Sequence, residues 1–275
     1  MSLEDNVDCF KQKESDHFEI RQKDGKWKLK VWIDGTRFIV SDRDYIEKNN
    51  IERIPVSKRF SNDKLEQIGR KFIKDYLQDI VVLEPGEEIV PLWTEFELVS
   101  AMSENGEKVD DMITASMVHF GRKIDGINIV GGGSRISITV ANNGAVVDVM
   151  LDWPRYRRSN EIQTAIGVSE IMERLFAYGK MVKGVNDVSL ERFECGYYDP
   201  GVKYVDTYGF IQVGCVAYTV GLNKNEEGDF IHPVINVIPA GKIVEWDDNW
   251  PEAQAVINGR DLCEETDLSL CLKEY

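Results

Sequence analysis

From Ile113 to Tyr156 the chain reads ITASMVHFGRKIDGINIVGGGSRISITVANNGAVVDVMLDWPRY, the segment that most restricts what it can fold into. Runs rich in Val, Ile and Thr are punctuated by Asp125-Gly126, Gly131-Gly132-Gly133 and Asn143-Gly144. Such runs favour pleated backbone, and the Asx-Gly pairs supply the positive φ angles that two-residue hairpin turns require. The spacing predicts four consecutive strands: ITASMVHF, INIV, RISITV and AVVDVMLDW. The segment contains no catalytic grouping, so it constrains architecture and leaves function open.

The flanking sequence extends the pattern. Residues 1–16 are polar and read as a frayed tail. HFEIRQKDGKWKLKVWIDGTRFIV alternates around Asp24-Gly25 and Asp34-Gly35, predicting a three-strand antiparallel meander. Within it, Lys26, Lys28 and Lys30 share one face, the arrangement of a solvated or edge-protecting lysine row. SNDKLEQIGRKFIKDYLQDI predicts a helix. Ser61 is its N-cap, Asp63 complements the dipole, and Leu65, Ile68, Phe72, Ile73 and Tyr76 form its apolar stripe. Pro85-Gly86 closes this segment, and the strand EIVPLWTEFELVSAM follows. A second helix is expected over about 161–182, with Ile162, Ala165, Ile166, Ser169, Met172 and Phe176 on one face. Four strands then follow: SLERFECGYY, YGFIQVGCVAYTVGL, FIHPVINVIPA and KIVEW, with a turn over Asn223–Asp229. No βαβ alternation occurs, which argues against a parallel nucleotide-binding sheet. The expectation is an α+β protein: a tail and small β-meander over 1–58, then helix-on-antiparallel-sheet units over 59–156 and 157–275, the last with an acidic tail.

The first unit resembles the PepSY-type modules and the propeptides of thermolysin-like metalloproteases. The matching positions are Phe120, Asp125, Gly126, Ile129, Val130, Gly131 and Gly144, Ala145, Val146, Val147. The resemblance implies a cystatin-like shape, a helix laid across an antiparallel sheet. It also implies a non-catalytic module that inhibits, chaperones or binds a partner, exported or at the cell surface.

The formal net charge is −15 over 275 residues, a field that repels phosphate backbones and anionic lipid surfaces. Nucleic acid is therefore an unfavourable partner. No apolar run reaches the roughly 18–20 residues of a membrane span. The N-terminus has no apolar core of a signal peptide, and the compartment stays open. Five cysteines are present, Cys9, Cys195, Cys215, Cys263 and Cys271. In an exported protein Cys195 with Cys215 and Cys263 with Cys271 are candidate disulfides; otherwise buried thiols are the equal alternative.

Chemistry-bearing patterns are few. Only His17, His119 and His232 exist, without HExxH, CxxC or HxH spacing, so no metal site is expected and His119 and His232 read as strand residues. There is no GxSxG elbow. Val130–Arg135 has glycines without a following helix, so it reads as a hairpin or bulge and not a phosphate loop. Asn223, Asn225, Glu227 and Gly228 open like a calcium loop, but Val234 stands where the closing glutamate belongs. No cofactor is expected. Glu95 with Glu97 and Asp148 with Asp152 are carboxylate pairs of the kind a glycosidase uses, with Trp93, Trp153, Trp246 and Trp250 as platforms or as core.

Tyr197, Tyr198, Asp199, Tyr204 and Tyr208 surround an Asp-Pro-Gly turn and form a candidate recognition surface, or a hairpin packed on its own sheet. Arg155, Arg157 and Arg158 form a basic patch, either a solvated linker or a contact for an acidic partner. Three readings follow. The leading one is a non-enzymatic binding or inhibitory module for a protein or peptide. The second is a carboxylate-based hydrolase or carbohydrate-active enzyme with its site in the groove between units. The third is a structural or assembly protein that self-associates as a homo-oligomer.

Overall fold

Thirteen strands, three α-helices, one 3-10 turn and one π-helical turn make up the regular structure among the described residues of the computed structural model, which are 7–10, 17–22, 27–32, 37–42, 44–99, 111–156, 165–179, 187–199, 211–225 and 228–240. The chain divides into two compact units, Met1–Gly126 with Gly133–Arg155, and Ile127–Gly132 with Tyr156–Tyr275.

The first unit contains strands β1 (Val7–Phe10), β2 (His17–Gln22), β3 (Lys28–Trp32), β4 (Arg37–Ser41), β5 (Ile54–Pro55), β6 (Glu87–Val99), β7 (Met112–Ile124), β9 (Arg135–Ala141) and β10 (Val146–Asp152), and helices α1 (Asp44–Lys48) and α2 (Asn62–Phe72). Its strands run in the order β1-β2-β3-β4-β10-β9-β7, with β5 and β6 both on β7. All these pairings are antiparallel. One face is apolar: Phe38, Val118, Phe120, Ile136, Ile138, Val140, Val149 and Leu151 alternate along four strands and form the core. Helix α2 covers this face with Leu65, continued by a π-helical turn over Ile73–Leu77 that adds Ile73 and Leu77. Ser61 caps the helix as its sequence implies, accepting from the Lys64 amide at 3.2 Å. Close approach depends on Gly69, where a Cβ would stand 2.5 Å from Phe120 Cε2.

Arg122 lies on the same face and is almost fully buried. It donates to the Pro154 carbonyl at 2.8 Å, stands 3.7 Å from the equally buried Glu87 carboxylate and lies 4.1 Å from the Trp153 ring centroid.

The second unit contains β8 (Ile127–Gly131), α3 (Val168–Gly179), β11 (Asp187–Asp199), β12 (Gln212–Asn225) and β13 (Gly228–Pro239), with strand order β8-β11-β12-β13. β8 runs parallel to β11, while β11-β12 and β12-β13 are antiparallel. Ile171 and Leu175 of α3 pack with Ile166, Cys215, Ala217, Ile238 and Ala240 on one face. Val130, Tyr198, Val216 and Val237 cluster separately. Cys195 and Cys215 face each other across β11 and β12 and are joined by a disulfide. Cys263 and Cys271 lie outside the described residues.

This architecture corrects the expectation of two cystatin-like, helix-on-antiparallel-sheet units behind a separate meander. The N-terminal meander is not separate: β4 pairs with β10 along its whole length, because Phe38 and Val40 complete the apolar row begun by Leu151 and Val149. Residues Val7–Phe10, expected in a frayed tail, add a further strand. The Ile113–Tyr156 segment does form four strands, but not in meander order. β9 pairs with β7, and β8 joins the second unit as a parallel neighbour of β11, making that sheet mixed. Strand content dominates, and α1 is only five residues long. The second helix is described over Val168–Gly179 only.

Candidate functional site

The face of the first sheet opposite α2 carries the polar side chains that alternate with the core. Cross-strand register aligns them in rows. Arg37 pairs with Asp152, and Asp152 pairs with Arg135. The next row is Ile39, Met150, Ser137 and His119. The third is Ser41, Asp148, Thr139 and Met117.

A β-bulge in β6 completes the cluster. The register shifts between Pro91, opposite Phe120, and Thr94, opposite Val118, so Leu92 and Trp93 together oppose His119. Bulges re-aim side chains in this way. Leu92 lies over Gly121, where a Cβ would come within 2.9 Å of it. The Trp93 ring stacks on His119 at 4.7 Å between centroids, and the Arg135 guanidinium sits 4.8 Å from the same ring. Trp93 Nε1 donates to Glu95 Oε1 at 2.7 Å. At the far end of the first row, Arg37 lies 4.6 Å from the Trp32 ring.

His119 is the centre of a polar chain. Its Nδ1 lies 2.8 Å from Ser137 Oγ and its Nε2 is 3.6 Å from Glu95 Oε1, the latter an electrostatic contact beyond hydrogen-bond length. Burial dominates its protonation: the imidazole is 6% exposed and its pKa is pushed down to about 4. The neighbouring Arg135 charge acts in the same direction, while Glu95 opposes both. Burial thus favours the neutral ring, with Nδ1 beside the Ser137 hydroxyl and Nε2 facing Glu95.

Hydroxyl, imidazole and carboxylate in that order are the components of a nucleophile relay. Two features count against catalysis. Ser137 is 4% exposed, and it sits mid-strand, paired with His119 on one side and Met150 on the other. An oxyanion needs free backbone N–H donors beside the nucleophile, and a strand paired on both sides commits its amides to the ladder. Within this chain Glu95 and His119 hold Trp93, by a hydrogen bond and by stacking.

The residues picked out from sequence are distributed differently. Tyr198 is buried among Val130, Val216 and Val237, and Asp199 is 1% exposed, accepting a hydrogen bond from the Tyr156 hydroxyl. Tyr197 is half-buried and Arg155 is exposed, just beyond the end of β10. Tyr204, Tyr208, Arg157 and Arg158 lie outside the described residues. Glu97 accepts from the Thr114 hydroxyl at 3.2 Å and is separate from the Trp93–Glu95 bond. No group of three or more His, Cys, Asp or Glu side chains with metal-binding geometry occurs among the described residues. Nor is any helix there long and apolar enough to cross a membrane.

The Trp93–His119–Ser137 cluster escaped sequence reasoning because its members come from three strands and one reaches the others only through the bulge. The one local signal was Pro91-Leu92-Trp93, an interruption of alternation inside a strand.

No family model matches the chain, and no curated protein matches it. Among solved structures it is similar to an uncharacterized protein from Eubacterium rectale, whose crystal structure was determined at 1.45 Å. The two share 9% sequence identity with a TM-score of 0.50, over 88% of this chain and 78% of the other. At that identity the likeness is one of fold alone.

Proposed function

We propose that the chain is a non-enzymatic binding module that recognises a protein or peptide partner through the polar face of its first sheet, opposite α2. The observation that carries this reading is the row Trp32, Arg37, Asp152, Arg135 and Trp93, in which each terminal indole is covered by a guanidinium and a buried carboxylate lies between the two arginines. Trp and Arg are the side chains most often found as binding hot spots, since they give large contact area and directional donors together. They are also held in place beforehand. Trp93 is fixed by Glu95 and His119, which lowers the ordering cost a partner would otherwise meet. Arg155, an exposed residue, lies three positions after Asp152 of the row. A row of indoles and guanidinium groups suits an extended segment or a flat protein surface.

Selection of peptides from a random display library on the full chain tests the reading. Enriched peptides are expected to bind the wild type and to bind Trp32→Ala and Arg37→Ala about tenfold more weakly, the ordinary cost of truncating a hot spot. Peptides whose affinity ignores both substitutions, or no enrichment at all, would refute the assignment.

A further inference from the structure

At the other end of the same face the first unit holds a cavity of about 360 Å³, a volume at the lower end of those that hold small ligands. Its floor is Ala115, Thr139 and Val147, and one wall is Ile46 and Ile51, from α1 and the turn after it. The wall is fixed by backbone hydrogen bonds. The Asp42 amide donates to the Val147 carbonyl at 2.7 Å, and the Ile51 amide to the Ile46 carbonyl at 3.0 Å. Asn142 Nδ2 donates to the carbonyls of Glu52 and Ile113, both at 2.9 Å, which ties the segment after α1 to β7. The cavity is therefore built into the fold.

The lining is chemically asymmetric. Glu47 and Glu97 bring carboxylates to it and Arg53 brings a guanidinium. Arg53 and Glu47 take part in no ion pair among the described residues, so opposite charges share one cavity without neutralising each other. Thr139 is 4% exposed and contributes a hydroxyl group to the floor.

We propose that this cavity binds a small aliphatic zwitterion of the free α-amino acid class. The ammonium group lies between Glu47 and Glu97, the carboxylate meets Arg53, and the aliphatic side chain rests on Ile46, Ile51 and Val147 above Thr139. Charge-assisted bonds to both groups on the α-carbon give orientation, and the apolar wall selects an aliphatic side chain over a charged one. The proposal does not depend on the partner surface described above, since the two use different residues.

Titration of the full chain with L-leucine, followed by amide chemical shifts, decides it. n-Butylamine and butyrate serve as probes carrying one charge each. Saturable shifts at Ala115 and Thr139 are expected with L-leucine, and Arg53→Gln and Glu47→Gln should each weaken binding about tenfold. Both residues are exposed, so neither variant threatens folding, which unchanged circular dichroism would check. The proposal fails if L-leucine gives no saturable shift, if both variants bind as the wild type does, or if either singly charged probe binds as tightly as L-leucine.

Discussion

His119 is a titratable group that the fold keeps uncharged. Enclosed by Trp93, Ser137, Glu95 and Arg135, its pKa drops from the usual 6.5 to about 4. The consequence for stability has a definite sign. Above about pH 6.5 the ring is neutral in both folded and unfolded chains, and the shift contributes nothing. As pH falls below that value the unfolded chain takes up a proton that the folded chain refuses. Stability is therefore lost between about pH 6.5 and about pH 4, and the loss levels off below. A shift of this size corresponds to at most about 3 kcal/mol. Urea midpoints measured at neutral pH and near the folded pKa should show the drop, and His119→Gln should flatten the profile. A variant with an unchanged profile would place the titration elsewhere. The strand position of His119 was legible in ITASMVHF, a run containing β-branched Ile113, Thr114 and Val118. Its neighbours were not legible, because cross-strand partners are set by register and no local pattern encodes register.

Helix α2 shows how far an element can be read from its own residues. Its cap, its acidic first turn and the Leu65, Ile68 and Phe72 part of its stripe lie in SNDKLEQIGRKF and appear in the fold, whereas Tyr76, expected in the same stripe, is 70% exposed. What the stripe does not reveal is the helix's distance from the sheet. That is set by Gly69, whose missing side chain admits Phe120 and Val118. Alanine in place of Gly69 is worth roughly 1 kcal/mol by helix propensity. Here its methyl group meets an aromatic ring with no exposed surface into which to swing. Overpacking of this kind costs about 1–3 kcal/mol, so the net effect of Gly69→Ala is destabilising. The expected readout is a lower urea midpoint with unchanged slope. A raised midpoint would show that the ring moves aside.

For the whole molecule, turn chemistry located most strands and failed to say which strand lies beside which. Asp125-Gly126 and Asn143-Gly144 make their turns with positive φ at Asp125, Gly126 and Gly144, and these signals are purely local. The pairing of β4 with β10 and of β8 with β11 joins segments far apart in sequence. Those pairings follow from completing an apolar face, a property of the assembled sheet. One long-range link was half visible: Cys195 and Cys215 were recognised as a candidate pair, and the strands set them directly opposite. The bond closes a loop with a sequence separation of 20, for which loop closure gives about 3 kcal/mol. Replacing both cysteines by alanine should speed amide exchange in β11 and β12 by that measure and leave β7 and β9 unchanged. Equal loss of protection in both units would mean that they unfold together.

The bulge at Leu92-Trp93 acts on β6 as a frameshift acts on a message. Before it, even-numbered residues such as Glu88 and Val90 share the side of the sheet opposite α2. After it, odd-numbered Glu95 takes that side and Phe96 turns to the core. Two chains that differ by one residue at this point would thus agree in composition and disagree in which half of the strand faces outward. When remote relatives are aligned with this chain, a gap placed beyond Phe96 would put the Glu95 carboxylate in the core and the Phe96 ring on the polar face. The correct placement of that gap can be recognised by the sidedness it restores.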